Sequence, residues 1–430
     1  MTTITSTPPV PIPPPAPCIG EYMLDPTMAF LNHGSFGALP RRVQAEQLRI
    51  ASIIEQDSVR FFVELIEPML DQARRTLADF VGCDPEGFAF VPNASTGVAT
   101  VIKSLPFAPG DEIIACTHEY NACVNSVRYV AERTGAKLVY VPLAFPLPGD
   151  AAAAADLIVA TLTSAITPRT KLLLLSHITS PTGFIMPVER IIREFAARGI
   201  DTLLDSAHAP AFLDLNIRDI LPPSGPAYVT GNFHKWLSAP KGSAFLYVRE
   251  DRRHLIDPLT TSHGYNATRT DRSRFRLQFD FTGTGDLTAP LATPLCLSVA
   301  PAIAGVSTLA RMRERHNALC LRARDHICAA LGIAPPVPDA MLGCMSTMVL
   351  PSLSPQAEAR LASRPTRYAD AMQDRLLERW RIQIPVFRTP DIPGRLLRIS
   401  VAPYNTFEQF DYLARAVKAE LAEERAFAGA

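Results

Sequence analysis

The feature that most restricts how this 430-residue chain can fold is an alternation between residues 88 and 248. Short apolar runs with β-branched or aromatic content take turns with helix-periodic stretches. The runs are Phe88–Val91, Glu112–Cys116, Leu138–Val141, Lys171–Ser176, Thr202–Asp205, Ala227–Thr230 and Ala244–Val248; between them lie Gly97–Ser104, Asn121–Thr134, Ala151–Ala165 and Val188–Arg198. Strands separated by helices predict an α/β domain with a mostly parallel, seven-stranded sheet. Helix-like stretches at Arg41–Ile66 and Pro68–Val81 precede it, and a long one at Pro301–Leu331 follows. A strand at Leu396–Val401 and a helix at Thr406–Glu424 predict a smaller C-terminal α+β domain. The expected division is an arm over 1–25, a large domain over 26–300 and a small domain over 301–430. Seven prolines within Met1–Pro17 make the start an extended or disordered arm, either a loose terminus or a ligand for a proline-recognising partner.

Composition removes several function classes. Forty-two basic and 42 acidic residues cancel, which argues against whole-chain affinity for nucleic acid or an anionic membrane. Apolar runs such as Ala244–Val248 stop at about five residues, against the ~20 needed for a membrane span. Met1–Pro17 has no charged residue and no apolar signal core. The eight cysteines include no C-x-x-C pair, so neither a disulfide framework nor a zinc or other metal site is expected. Reduced thiols in a cytoplasmic protein are the plain reading.

Ligands of an open parallel sheet bind outside the carboxyl ends of its strands, and this chain places unusual polar residues there. Phe88–Val91 leads into Asn93-Ala94-Ser95-Thr96-Gly97 and a helix, which is either a phosphate cradle or an ordinary N-cap. Glu112–Cys116 leads into Thr117-His118-Glu119-Tyr120-Asn121, where His118 and Tyr120 can stack on a flat ring, move protons, or bond locally. Thr202–Leu204 ends in Asp205-Ser206-Ala207-His208; a buried strand-end aspartate needs a cation or several donors. The chain has only six lysines. Of these, Lys235 and Lys241 alone fall near the polar strand ends, and Phe233 and Trp236 flank Lys235 with apolar surface. Lysine can lose its proton and form an imine, which arginine cannot. A phosphate cradle, a buried carboxylate, a stacking residue and a lysine are together what pyridoxal 5'-phosphate (PLP) needs.

In Leu31-Asn32-His33-Gly34-Ser35-Phe36-Gly37, His118-Glu119-Tyr120-Asn121, Thr179-Ser180-Pro181-Thr182, Asp205-Ser206-Ala207-His208, Gly231-Asn232-Phe233-His234-Lys235-Trp236, Gly283-Thr284 and Arg398-Ile399-Ser400, the chain resembles the class V aminotransferase group of fold-type I PLP enzymes, in particular its isopenicillin N epimerase-like branch. That branch includes hercynylcysteine sulfoxide lyases and is related to cysteine desulfurases. The resemblance implies Lys235 as Schiff-base lysine, Asp205 on the pyridine nitrogen, His208 on the phenolic oxygen and His118 stacked on the ring. It implies Ser95, Thr96, Gly97, Asn232 and His234 around the phosphate, with Thr179 also at the cofactor and Thr284 reaching the phosphate of a neighbouring subunit. Arg398 would hold the substrate α-carboxylate, and Asn32 and His33 would face the substrate. A homodimer with shared active sites and an amino-acid-like substrate are expected. One departure matters: Arg381 to Arg398 contains no cysteine, so the persulfide route of desulfurases is not expected.

The chemistry then forks. With Lys235 as base at the α-carbon, reprotonation on the opposite face by His118 or Tyr120 gives an epimerase. Loss of a β-substituent, with Tyr120 protonating the leaving group, gives a C–S or β-lyase. Protonation at the cofactor gives an aminotransferase. A PLP-fold binding protein without turnover is the remaining alternative.

Overall fold

All seven runs enter one sheet. The computed structural model describes residues 8–220 and 225–429, so the first seven residues of the proline-rich stretch lie outside the described residues. The strands are β1 (Phe88–Val91), β2 (Glu112–Cys116), β3 (Lys137–Val141), β4 (Thr170–Ser176), β5 (Asp201–Asp205), β6 (Tyr228–Asn232) and β7 (Ala244–Val248). Their spatial order is β1-β7-β6-β5-β4-β2-β3. β7 runs antiparallel to β1 and β6; every other pair is parallel. In β4, Leu172 and Leu174 join the core on one face while Leu173 and Leu175 join the core on the other. A continuous leucine run is what a strand covered on both faces requires.

Helix starts are set by local side chains. Asn93 accepts the Thr96 N–H (2.8 Å) and caps α1 (Ala94–Ser104). Helix α2 (Asn121–Thr134) follows β2. The long helix expected over Pro301–Leu331 is divided into Cys296–Ile303 and α3 (Leu309–Leu331), whose start Thr308 caps by accepting from Arg311 N–H at 3.2 Å.

A second core lies beyond the sheet. Strands β8 (Met345–Leu350), β9 (Val386–Phe387) and β10 (Arg395–Ser400) form an antiparallel sheet in the order β9-β10-β8. It packs with α3 and α4 (Phe407–Gly429). The start of the chain contributes to this core. Ala29–Phe30 pairs with Ile382–Gln383, Leu31 is buried there, and Val10 and Ile12 pack against it. Ala16 N–H donates to the Tyr404 carbonyl at 2.9 Å. The part of the proline-rich stretch from Pro8 onward is therefore held by contacts with the C-terminal core rather than loose. No helix among the described residues is long and apolar enough to cross a membrane. All eight cysteines are free thiols.

Inside this core Arg395 grips Glu424 with both terminal nitrogens, at 3.0 and 2.6 Å, tying β10 to α4. Both residues are almost fully buried. Removing Glu424 leaves the buried Arg395 with only Asp370, at 3.5 Å, and takes a partner from Arg375 as well. Glu424→Ala is expected to lower unfolding free energy by about 3–5 kcal/mol, read as a drop in urea midpoint; a change below about 1 kcal/mol would show that the pair behaves like a surface bridge.

Candidate active site

The carboxyl ends of β1, β2, β4, β5 and β6 open into a cavity of about 980 Å³. Gly34–Phe36 from the chain start, with Pro385, Phe387–Asp391 and Arg398 from the segment around β9 and β10, complete its walls. Of the residues expected at the site, Ser95, Tyr120, Asp205, His208, Asn232, His234, Lys235 and Arg398 line it.

Lys235 follows β6 and is partly buried. Burial pulls its amine down to about 8; Arg398 acts in the same direction, while Asp205 and Cys123 oppose. Lys235 Nζ lies 3.0 Å from His208 Nε2. Asp205 ends β5 at 4% exposure and accepts the Ala207 N–H at 2.9 Å and the Cys123 thiol at 3.3 Å. Burial raises its pKa, against the lowering effects of those two donors and of Lys235. Two donors leave a carboxylate with acceptor capacity to spare.

At the α1 end, Asn232 Oδ1 accepts the Ala94 N–H (2.8 Å), pinning the helix start to the end of β6. Ser95 faces the cavity in the first turn, where the helix dipole favours an anion; the flanking Ala94 and Thr96 N–H groups are already taken by Asn232 and Asn93. His234 Nδ1–H donates to the Ser243 carbonyl (3.1 Å), leaving Nε2 for the cavity. Burial, with the charges on Lys235 and Lys241, pushes His234 down to about 4.

On the opposite wall Arg398 donates from Nη1 to the Ser180 carbonyl (2.6 Å) and from Nη2 to Ser35 Oγ (2.9 Å). Its Nε is buried without a partner. Burial lowers this guanidinium to about 10. Ser35 Oγ in turn donates to Asn32 Oδ1 at 2.6 Å, so Asn32 orients Ser35 and lies behind the cavity wall.

Several expected site residues are placed elsewhere. His118 is fully buried with Nδ1 bonded to Thr182 Oγ1 (2.8 Å) and Nε2 to the Leu143 carbonyl (3.2 Å). Its ring meets the edges of Phe145 and Phe184, so it cannot stack on a ligand in the cavity; Tyr120, two residues on, faces that space. Thr179 is spent inside the 179–184 turn, where Phe184 N–H donates to its Oγ1 at 3.1 Å. Thr96 is spent on Asn93. Gly97 is required by packing: a Cβ there would lie 2.1 Å from Thr230 Oγ1. His33 is buried between Tyr404 Oη (2.8 Å) and the Lys235 carbonyl (3.0 Å) and does not line the cavity; burial pushes it down to about 3. Thr284 is exposed on its own chain, outside the cavity lining.

Three cavity features had no clear sequence signal. Cys123 bonds Asp205 from α2. Ser35 contacts Arg398. Glu119 lies buried, accepting the Ser176 N–H (3.0 Å) and the Ser176 hydroxyl; burial raises it to about 7, with the Asp205 charge adding to the rise.

Comparison with known proteins agrees with this geometry. Residues 56–278 match the family Aminotransferase class-V. Isopenicillin N epimerase of Amycolatopsis lactamdurans is 33% identical over 411 residues, spanning 93% of this chain and 96% of that protein. Putative L-cysteine desulfhydrase 1 of Oryza sativa subsp. japonica is 24% identical over 432 residues, 92% and 84% of the two chains. A solved structure of a C-DES mutant, with glycine covalently linked to the PLP cofactor, superposes with a TM-score of 0.74 at 20% identity, covering 92% of this chain and 98% of that one.

The donor set fits PLP. An under-satisfied buried carboxylate suits a cationic ring nitrogen, the first turn of α1 suits a phosphate, and a partly buried amine of lowered pKa suits an aldehyde. Reductive methylation of Lys235 in the cofactor-free chain, followed by peptide mapping, should reach half its maximal rate near pH 8. A midpoint in the ordinary lysine range of about 10.4 would contradict this environment.

Proposed function

This chain belongs to the aminotransferase class-V family, and from that premise we propose that it binds PLP at Lys235 and inverts the α-carbon of an amino acid, as an isopenicillin N epimerase-like enzyme. The observation that carries this reading is a lysine amine of pKa about 8 sharing one cavity with a buried aspartate and an arginine whose Nε is unpaired.

When bound, PLP supplies an electron sink that lets a proton leave the α-carbon. Asp205 keeps a proton on the ring nitrogen. Ser95, the positive end of α1 and His234 take the phosphate. Arg398 grips the α-carboxylate through its spare donors; Ser180 and Ser35 fix the guanidinium plane, so the α-carbon is presented at a set angle. Lys235 takes the α-proton, being already close to the pKa a base needs near neutrality. Tyr120 returns a proton from the other side. Thr284, exposed on its own chain, serves the site of a second copy in a homodimer with shared active sites. A cytoplasmic setting suits the eight free thiols.

Support for inversion over β-elimination comes from the 33% identity to an isopenicillin N epimerase against 24% to a putative cysteine desulfhydrase. Elimination is the second reading, favoured by the latter likeness. Neither reading needs a nucleophilic cysteine in the 381–398 loop, and the chain has none there.

The decisive measurement is incubation of PLP-loaded protein with a panel of L- and D-amino acids in D2O. Deuterium at an inverted α-carbon without loss of substituent supports the proposal. Pyruvate and ammonia would replace it with β-elimination, and a keto acid that depends on an acceptor with transamination. No turnover despite a visible cofactor band would leave a binding protein. Tyr120→Phe should lower inversion about 10²–10⁴-fold while deuterium still washes in with retained configuration through Lys235. Equal loss of both would remove Tyr120 from the second face.

A further inference from the structure

Two hydrogen bonds on one imidazole fix where its proton sits. Trp236 Nε1–H donates to His208 Nδ1 at 3.2 Å. His208 Nε2 meets Lys235 Nζ at 3.0 Å. An indole nitrogen can only donate, so His208 Nδ1 must carry its lone pair. A neutral ring then bears its hydrogen on Nε2. An ammonium at Lys235 donating to Nε2 would leave both ring nitrogens without hydrogen, an imidazolate. An imidazolium would point Nδ1–H at the indole N–H. The geometry is therefore consistent with one arrangement: His208 donates from Nε2 and Lys235 accepts with a free amine lone pair.

We propose that Trp236 is a positioning residue that locks His208 in the Nε2–H tautomer, and through it favours the free-amine form of Lys235. Trp236 is well placed to hold that setting. It is 5% exposed, its ring meets the edge of Phe212 at 4.9 Å between centroids, and His33 lies 5.5 Å away on another side. The other charged or titratable groups acting on His208 are Arg398 and His234, both disfavouring an imidazolium. Those acting on Lys235 are Asp205 and Cys123, which favour its ammonium form, and Arg398, which disfavours it. Burial is the largest effect drawing Lys235 toward the amine, and the donor from His208 acts in the same direction against Asp205.

Two consequences follow. His208 is a hydrogen-bond donor at the cavity and takes no part in proton transfer, since Nε2 has no lone pair to accept with. The same N–H faces the cavity whichever acceptor is present: Lys235 Nζ in the cofactor-free chain, or an anionic ring oxygen when PLP is bound. Only the identity of that second acceptor rests on the PLP reading.

The test uses the cofactor-free chain labelled with ¹⁵N-histidine and ¹⁵N-tryptophan. Long-range proton–nitrogen correlation reports each tautomer directly, with His208→Gln assigning the signal. The expected result is a single Nε2–H tautomer for His208 at pH 9, and a Trp236 indole proton coupled to it; the chain has only two tryptophans to distinguish. In Trp236→Phe, His208 should lose the single-tautomer signature and the Lys235 methylation midpoint should rise by about one pH unit or more, roughly tenfold in the free-amine fraction. A wild-type Nδ1–H tautomer would overturn the proposal even if the variant fails to fold. So would a variant with unchanged tautomer and midpoint. Failure of the wild-type chain to take up PLP would remove the cofactor assignment while leaving the tautomer measurement intact.

Discussion

Partial burial of Lys235 strips away water that would keep its amine charged, and the guanidinium of Arg398 adds repulsion, so the amine is held near a pKa of 8. The surroundings of the cavity follow from that demand. Asp205, itself buried, limits the shift, and the amine draws the carboxylate down in return. A lysine on the surface would hold its proton to about pH 10.4; here the amine is mostly protonated at neutral pH but gives up its proton near pH 8, and one buried with no carboxylate nearby would cost far more to fold. The cavity sits between these limits, where a nitrogen can switch between base and nucleophile.

Holding that nitrogen in place takes both ends of the chain. Gly37 has φ +67°, and a Cβ there would fall 2.2 Å from the His234 carbonyl oxygen, so the N-terminal turn presses directly on the backbone before Lys235. His33 donates from Nε2 to the Lys235 carbonyl, because a carbonyl only accepts, and takes the Tyr404 hydroxyl on Nδ1. Tyr404 follows β10, the strand that carries Arg398. The lysine loop is thus clamped by a segment whose preceding residues, Ala29 and Leu31, are buried in the second core. Arg398 and the lysine are thus referenced to the same packing.

Much of this was legible in the sequence. Periodicity alone located β1, β2, β7 and α2 with the ends they have in the structure, because each is a short apolar run or a clean helical repeat between turn residues. It missed β8, whose Met-Ser-Thr-Met-Val sequence carries little strand signature and is a strand only because β10 pairs with it. The split between Cys296–Ile303 and α3 was missed because both halves share the helical period, although Gly305, at φ +68°, and the capping Thr308 mark it. At the site, residue type was read correctly more often than direction. His118 and Tyr120 are both aromatic and both follow β2, and only packing against Phe145 and Phe184 decides that the histidine turns inward. Thr96, Gly97 and Thr179 follow the right strand ends, but their atoms are committed to capping, helix–strand contact and the turn. Cys123 and Trp236 could not be found from spacing, since their roles exist only through the side chain each one meets.

Inversion demands proton donors on two faces of one carbon, and the cavity offers few. Lys235 occupies one face. His118 is outside the space, enclosed by two phenylalanines. His208 is held by Trp236 with its only cavity-facing nitrogen already protonated. His234 is tied through Nδ1 to Ser243 at the phosphate end of α1. Glu119 is buried and engaged with Ser176. Tyr120 differs from all of these: it caps no bond within α2, is half exposed, and acts on the charge of Arg398, which places it beside the proposed carboxylate site. On the proposed reading, the stereochemical outcome is therefore set by a phenol that the helix start leaves uncommitted, opposite an amine whose hydrogen-bond partner can only donate.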